Sequence, residues 1–464
     1  MNSLITNIYS HMPVVIQNMG ISAYGYCWKK HRFGHDFYPE VLLSKEREFY
    51  TYQQWEKYQT LALRKLLVHA FESVPFYREK YSSLGIDKGF LEHITLERLN
   101  LLPYTTKDEF RKYGITSMLC PKLSKGIFEQ SSGSTGTPVQ IFMPDYVAQR
   151  VSAYMETRVR NWAGVSYMMP RGMVGGRRII SGYKMTPPFY RYNYFEKQTY
   201  FSAYHISEKT INNYIEGMVK NKVEWMTGYA MSNYFIADLI RKNGLKAPKM
   251  KAVITSSEKL TKEMRKTISD VFSCKVYDSY SGCEACGLIS ESPAGELLVN
   301  PDVGIMEFVD AEGKYVSDGE MGEIISTGLI NFDQPLIRYR IGDLAKLAAS
   351  QHLQTNHQMV KIDEIIGRVE DIVVANDGRR LVRFHGIFVG IQGLISSQLV
   401  QKSYTDFVLR LIVDTTIYNQ IESEKIMRQR LVSQVGEVKI VFEYVNTLPA
   451  GSNGKIKAVV SLLS

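Results

Sequence analysis

The sequence predicts an α/β protein in two parts: a large multi-layer α/β N-terminal domain and a small α+β C-terminal domain joined to it by a hinge. Three observations carry this. Between residues 127 and 345, short β-branched or apolar runs alternate with helix-like stretches, the pattern of strands layered with helices. The chain has 464 residues, more than one ordinary domain holds at roughly 100–200 residues each. The polar, weakly periodic stretch QHLQTNHQMV is followed by a fresh block at Gly367, so the boundary falls between 1–366 and 367–464.

From the N-terminus, residues 5–25 read as an element packed against the body of the protein, with a surface-lying membrane element as the alternative. From about 53 to 84, Leu61, Leu63, Leu66, Leu67, Ala70 and Phe71 recur near helical spacing and Pro75 ends the run. An amphipathic helix followed by a short second one results. In LPYTTKDEF, Thr106 stands three residues before Glu109, the spacing at which hydroxyl and carboxylate each satisfy an orphan amide, so a helix begins there. The segment from 1 to about 125 is thus expected to be helical. Strands are expected at VQIFM, EWMTGY, KAVITS, CKVYDSY, IMEFVD and EIISTG, and helices at KTINNYIEGMVK, NYFIADLIRKNG and TKEMRKTISDVF. Past Gly367, strands are expected around IVVAN, FVLRLIVD and VKIVFEY, with helices between them.

Composition narrows the class. Hydrophobic residues make up 45% and charged residues 22%, with 34 Gly and 15 Pro, which excludes disordered and collagenous chains. The net charge of +9 is spread among acidic residues, and no basic–aromatic recognition motif accompanies it, so nucleic acid is not the expected partner. Five cysteines, an odd number at uneven spacing, argue against a disulfide framework and for a cytoplasmic protein. No run approaches 18 uninterrupted apolar residues, and no cleavable leader pattern is present.

Four motifs carry candidate chemistry. Ser131, Ser132, Gly133, Ser134, Thr135, Gly136 and Thr137, followed by Pro138, form a run of hydroxyls and glycines between strand-like segments. Glycines let the backbone approach phosphate oxygens and hydroxyls add donors, without the spacing of a Walker A loop. In FDQPLIRYRIGDLAKL, Asp343 follows Gly342 at a strand end, where a carboxylate accepts from a ribose diol. A third block, GRVEDI, begins at Gly367, and a fourth, PAGSNGKI, carries Lys455 on a Gly-rich turn. Alone, the loop also reads as a linker, Asp343 as a turn residue and Lys455 as solvated surface.

In order, SSGSTGTP, YSGCE (280–284), YRIGD (339–343), GRVED (367–371) and GSNGK (451–455) resemble the motif set of the adenylate-forming superfamily. LRKLLVHAFESVPFYREKY, LPYTTKDEFRKYG and QPLIRYRIGDL make it similar to the phenylacetate–CoA ligase, CapK and coenzyme F390 synthetase-like branch over roughly residues 50–460. The resemblance implies an AMP-forming carboxylate ligase that uses ATP and Mg²⁺, with CoA as the default acyl acceptor. It implies that Ser131 to Thr137 hold the β- and γ-phosphates, that Glu284 binds Mg²⁺, and that Tyr280 lies beside adenine. It also implies that Asp343 binds the ribose, that Arg368 contacts the nucleotide, that Glu370 is the hinge of a mobile small domain, and that Lys455 bridges carboxylate and α-phosphate. No general base is called for, because a carboxylate is already ionised at pH 7.

Departures are visible. Thr137 and Val139 stand where relatives often carry a Lys, Ser281 replaces a Gly, and Glu370 replaces an Asp or Lys. Around Tyr229, GYAMSN lacks the expected Pro-Ser, and Tyr229 and His205 are candidates for the acyl pocket. The alternatives are acyl transfer to a sugar amine or hydroxyl in capsule or O-antigen assembly, as the CapK likeness suggests, and a nucleotide-binding homologue without catalysis in such a complex. Peripheral association with that machinery and a homodimer are both compatible. Cys283 and Cys286 form a C-x-x-C pair, read as packed thiols rather than zinc ligands.

Overall fold

The computed structural model describes residues 9, 11–130, 139–177, 179–180, 186–351, 357–366, 373–378, 380–381, 384–388, 391–449 and 458–463. Up to residue 125 the regular elements among them are helical: α1 (Val14–Arg32), α2 (Phe37–Arg47), α3 (Tyr52–Ser73), α4 (Pro75–Ser83), α5 (Lys88–Glu92) and α6 (Lys107–Tyr113). Pro75 both stops α3 and occupies the first turn of α4, where its missing N–H has no helical partner to lose. Leu63, Leu66, Leu67 and Ala70 are buried as their spacing requires. Leu61 differs, being 58% exposed, because two residues before Leu63 it lies on the opposite side of a 3.6-residue helix. Thr106 and Glu109 form the expected reciprocal cap of α6, and Thr51 with Gln54 makes a second one on α3.

A hairpin of β1 (Gly126–Gln130) and β2 (Gln140–Pro144) leads into α7 (Asp145–Met155). Then comes a twelve-stranded sheet. Its parallel half is built from β3 (Arg171–Gly175), β5 (Gln198–Ser202), β6 (Trp225–Tyr229), β7 (Ala252–Ser256) and β8 (Lys275–Ser281), and β4 (Tyr190–Asn193) pairs antiparallel with β5 at the outer edge. The antiparallel half comprises β9 (Leu288–Glu291), β10 (Leu297–Val299), β11 (Gly304–Val309), β12 (Met321–Gly328), β13 (Tyr339–Leu347) and β14 (Lys361–Ile365). The strand order is β11-β12-β13-β14-β10-β9-β8-β7-β6-β3-β5-β4. Helices α8 (Ile211–Lys220), α9 (Ala230–Lys242) and α10 (Lys262–Phe272) connect the parallel strands. Each expected strand and helix of this region is present, and Ile236, Ile240, Ile268 and Phe272 bury against Val174, Met226 and Val253.

The C-terminal part holds a separate four-stranded sheet in the order β19-β18-β17-β20, from β17 (Leu394–Gln401), β18 (Asp406–Val413), β19 (Lys439–Tyr444) and β20 (Val459–Ser461). The short β15 (Val373–Val374) and β16 (Arg380–Leu381) precede it, and α11 (Gln420–Val435) joins β18 to β19. Two features differ from expectation. IVVAN supplies a strand of only two residues, and LISSQLVQ is the central strand β17 although its two serines weaken the alternating pattern. Ser397 and Gln398 are nevertheless buried, and Gln398 accepts from Arg410 of β18 at 3.1 Å.

The helical segment is tied to the sheet by buried charges. Asp302, between β10 and β11, receives both Arg158 just beyond α7 (Nη2–Oδ2 3.0 Å) and Arg47 of α2 (Nε–Oδ2 3.0 Å). Arg47 also pairs with Glu40, which accepts from Arg150 at 3.1 Å and from the Tyr154 hydroxyl at 2.8 Å. Burial alone would raise the Asp302 carboxyl, but the two guanidiniums outweigh it and hold the group below the ordinary carboxylate value.

Candidate active site

Strand register aligns the candidate residues at one edge of the sheet. Val174, Gly228, Thr255 and Asp278 sit side by side across β3, β6, β7 and β8. One step further on, Tyr229, Ser256 and Ser279 align at the carboxyl ends of the last three. Carboxyl ends of parallel strands are where open α/β sheets bind ligands, since chain crossovers leave a crevice there. Gly228 is required by this geometry. It has φ +128°, and a Cβ on it would come within 1.9 Å of the Val174 carbonyl oxygen. The Tyr229 hydroxyl lies directly against Gly176, where a Cβ would approach it to 2.4 Å. Next to Gly176, exposed Arg177 is surrounded by the rings of Tyr24, Trp28 and Tyr200, at 5.4, 5.4 and 5.7 Å.

Tyr280, near the end of β8, donates its hydroxyl to Asp343 at 2.9 Å. The two residues stand 63 positions apart in the chain, and a β-bulge brings them together. Opposite Ile324 of β12, residues 341–343 of β13 bulge out between the pairs Glu323–Leu344 and Ile325–Arg340, with Gly342 at φ +84°. Such a bulge re-aims the side chain that follows the glycine. Upstream, the same motif is structural: Arg338 forms a two-armed pair with buried Glu307 (3.0 and 2.9 Å), and Thr105 exchanges backbone bonds with Arg338 and Arg340. LPYTT and YRIGD are therefore one joint. Burial, and next to it the Asp343 carboxylate, push the Tyr280 phenol well above its usual value. It stays a hydrogen-bond donor at neutral pH.

Glu284 follows in a turn closed by the Ala285 amide on the Gly282 carbonyl at 3.2 Å. A Cβ on Gly282 would sit 2.3 Å from Glu284 Oε2, so only glycine lets the carboxylate lie over the turn. Cys283 and Cys286 flank it. Burial, followed by the charge of Glu284, pushes both thiols far up, so they remain protonated. Among the described residues, no three His, Cys, Asp or Glu side chains gather as a metal cluster. Gly282→Ala is expected to keep the fold, because the obstructing atom is the end of a flexible side chain, while displacing the carboxylate. A shift near 1 Å lowers turnover by roughly 10²-fold, read in ATP–pyrophosphate exchange at an unchanged melting temperature.

Ser131 to Thr137 lie outside the described residues, as do Arg368, Glu370 and Lys455. The residues that flank 131–138 are described: Gln130 pairs with Gln140 where β1 meets β2. Glu129, just before it, is near enough to Cys283 for its charge to add to the upward push on that thiol. The hairpin base and the Glu284 turn are thus neighbours. His205 is 0% exposed, shares a 2.7 Å hydrogen bond between Nδ1 and the Ser202 hydroxyl, and stacks on Phe189 with ring centres 5.1 Å apart. Its place just past the carboxyl end of β5 is in line with the other candidates, within the core rather than on an open wall.

Two features of this edge were not legible in the sequence. Past β7, Ser257 adopts φ +71°, and Glu258 accepts from the Met231 amide in the first turn of α9 at 2.9 Å, tying the β6 and β7 ends together. The run TSSEK after an apolar strand was the available signal. Arg177 is the other, and its neighbour Gly176 was its signal, a glycine placed for close approach.

Residues 373–462 match the CapK C-terminal domain family. The protein CapK of Staphylococcus aureus is 28% identical over 471 residues, covering 99% of both chains. Phenylacetate-coenzyme A ligase of Pseudomonas putida is 26% identical over 337 residues, 68% of this chain and 71% of that protein. Among solved structures, 2-hydroxyisobutyryl-CoA ligase in the postadenylation state shares the fold at a TM-score of 0.57 and 16% identity, over 90% of this chain and 91% of that one. In sequence the chain is thus similar to CapK over its full length and to phenylacetate-coenzyme A ligases over about two thirds of it, and in fold to 2-hydroxyisobutyryl-CoA ligase.

Proposed function

We propose that the protein condenses a carboxylic acid with ATP to an acyl-adenylate and pyrophosphate, then passes the acyl group to CoA. The observation that carries this reading is the Tyr280–Asp343 hydrogen bond at the carboxyl edge of the sheet with Glu284 in the next turn. A ribose diol is suited to Asp343 and a base to the face of Tyr280. In the first step a carboxylate oxygen attacks the α-phosphorus, and the bond to the β-phosphate bridging oxygen breaks, so pyrophosphate leaves with the electron pair. In the second, the thiol attacks the acyl carbonyl and AMP departs.

Glu284 fits Mg²⁺ as a hard oxygen donor, and a single carboxylate suffices where substrate phosphates supply other ligands. When bound, the ion would neutralise charge on the phosphates. The chain's own residues supply the rest. The loop Ser131–Thr137 would cradle phosphates, Lys455 would offset the charge that builds as two anions meet, and Arg368 would contact the nucleotide. Rotation of a small domain from about residue 367, about Glu370, would exclude water from the anhydride. Tyr229 would bound the acyl pocket, whereas His205, buried against Ser202 and Phe189, serves the core behind it.

A second reading keeps the adenylate and changes the acceptor to a sugar amine or hydroxyl in polysaccharide assembly. The likeness to CapK over 99% of the chain favours it. Incubation of acids with ATP, hydroxylamine and CoA, followed by mass spectrometry, separates the two. Thioester supports CoA as the acceptor, hydroxamate without thioester supports the second reading, and AMP formation from no acid removes both.

A further inference from the structure

Helix α1 is packed the wrong way round for a water-soluble helix. Its inward face is mainly polar, with Ile21 alongside on the core: Gln17, 2% exposed, accepts from Arg191, Asn18 accepts from the Tyr192 amide at 3.0 Å, and Ser22 accepts from the Tyr194 amide at 3.1 Å. Tyr192 belongs to β4, the last strand of the sheet, whose outward amides need partners because no further strand follows. The helix supplies them, and Gly25 permits the close approach, since a Cβ there would strike the Asn193 side chain at 1.9 Å. Having spent its polar residues on the sheet edge, α1 turns Val15 (69% exposed), Ile16, Met19 (63% exposed) and Tyr26 to the outside. They fall along one face at helical spacing, and Phe195, itself exposed, extends the patch by contacting Tyr26 with ring centres 5.1 Å apart.

The charge around this face is one-sided. Residues 1–35 contain no Asp or Glu, and Lys29 and Lys30 follow the apolar stretch at the end of the helix. Both lysines are exposed, whereas Arg32 is paired with Glu196. An apolar face with aromatic rings and a basic end is the composition of a helix lying in a lipid interface, and no helix among the described residues is long and apolar enough to cross a membrane. We infer that α1 docks the protein on the surface of an anionic lipid bilayer, with Val15, Ile16, Met19 and Tyr26 among the acyl chains and Lys29 and Lys30 at the headgroups. This inference is independent of the proposed reaction.

Co-flotation of the full-length protein with vesicles of phosphatidylcholine, with and without roughly 30% phosphatidylglycerol, tests it. Binding to the anionic vesicles is expected, weakening with salt, and falling about 5-fold for each of Lys29→Ala and Lys30→Ala. Ile16→Glu with Met19→Glu is expected to lower binding by at least about 10-fold, at an unchanged melting temperature because both positions face outward. Absence of binding to anionic vesicles, or binding indifferent to the double substitution, overturns the inference. So does sedimentation showing that the double substitution converts a dimer into a monomer, which would make the face a contact between two copies of the chain.

Discussion

Lys455→Ala is expected to reduce carboxylate-dependent ATP–pyrophosphate exchange by about 10²–10³-fold, the scale of removing one aimed charge stabiliser from a water-excluded site. In the proposed first step the attacking carboxylate and the triphosphate are both anionic. Their approach raises the barrier unless a cation sits between them, and the lysine of the Gly-rich run GSNGK carries a compact positive charge suited to this. The second step has no such encounter. Transfer of the acyl group from chemically prepared acyl-adenylate should therefore proceed at near the unaltered rate. Equal losses in exchange and in transfer would remove Lys455 from its assigned step, and exchange at the unaltered rate would remove it from the reaction.

Asp302→Ala is expected to lower stability by about 3–5 kcal/mol, the range for breaking a buried ion pair by deleting one partner. The guanidinium of Arg158 has no exposed surface, and Asp302 is its carboxylate partner. Arg47 keeps Glu40, so the larger part of the cost falls on Arg158. Denaturant unfolding followed by tryptophan fluorescence measures it, since Trp55 and Trp162 lie in the neighbouring cluster. The pH dependence has a definite sign. The folded carboxyl titrates below its unfolded value near 3.9, so the stabilisation is complete above that pH and is lost as pH falls through the lower folded value. Asp302→Asn should remove this part of the acid dependence while leaving a group of the same shape.

The elements legible in the sequence are those whose signal is local. Thr106 and Glu109 announce the start of α6 through two side chains three residues apart, and Leu63, Leu66, Leu67 and Ala70 announce the buried stripe of α3. The strand β17 was hidden because its two adjacent serines break the alternation, although Ser397 and Gln398 are buried in the folded sheet. At the site, the chemical types of Glu284 and Asp343 could be read from YSGCE and YRIGD. That Tyr280 and Asp343 touch could not, because the contact depends on a bulge in β13 and on the three strands, β14, β10 and β9, that stand between β13 and β8 in the sheet.

The same division holds for the buried charges and for α1. Asp302 and Arg47 are 255 residues apart, and nothing near either announces the other. Residues 5–25 were expected to pack on the body, and α1 does so. The face it uses was decided by the sheet: unpaired amides at the β4 edge draw Asn18 and Ser22 inward, and the apolar residues are left outside. By itself the sequence determined the periodic helices, the alternation of layers and the inventory of groups able to bind a nucleotide, because spacing of 2 or 3.6 residues and side-chain type are local properties. Register, edge satisfaction and charge pairing join residues distant in the chain, and only the tertiary structure decided them.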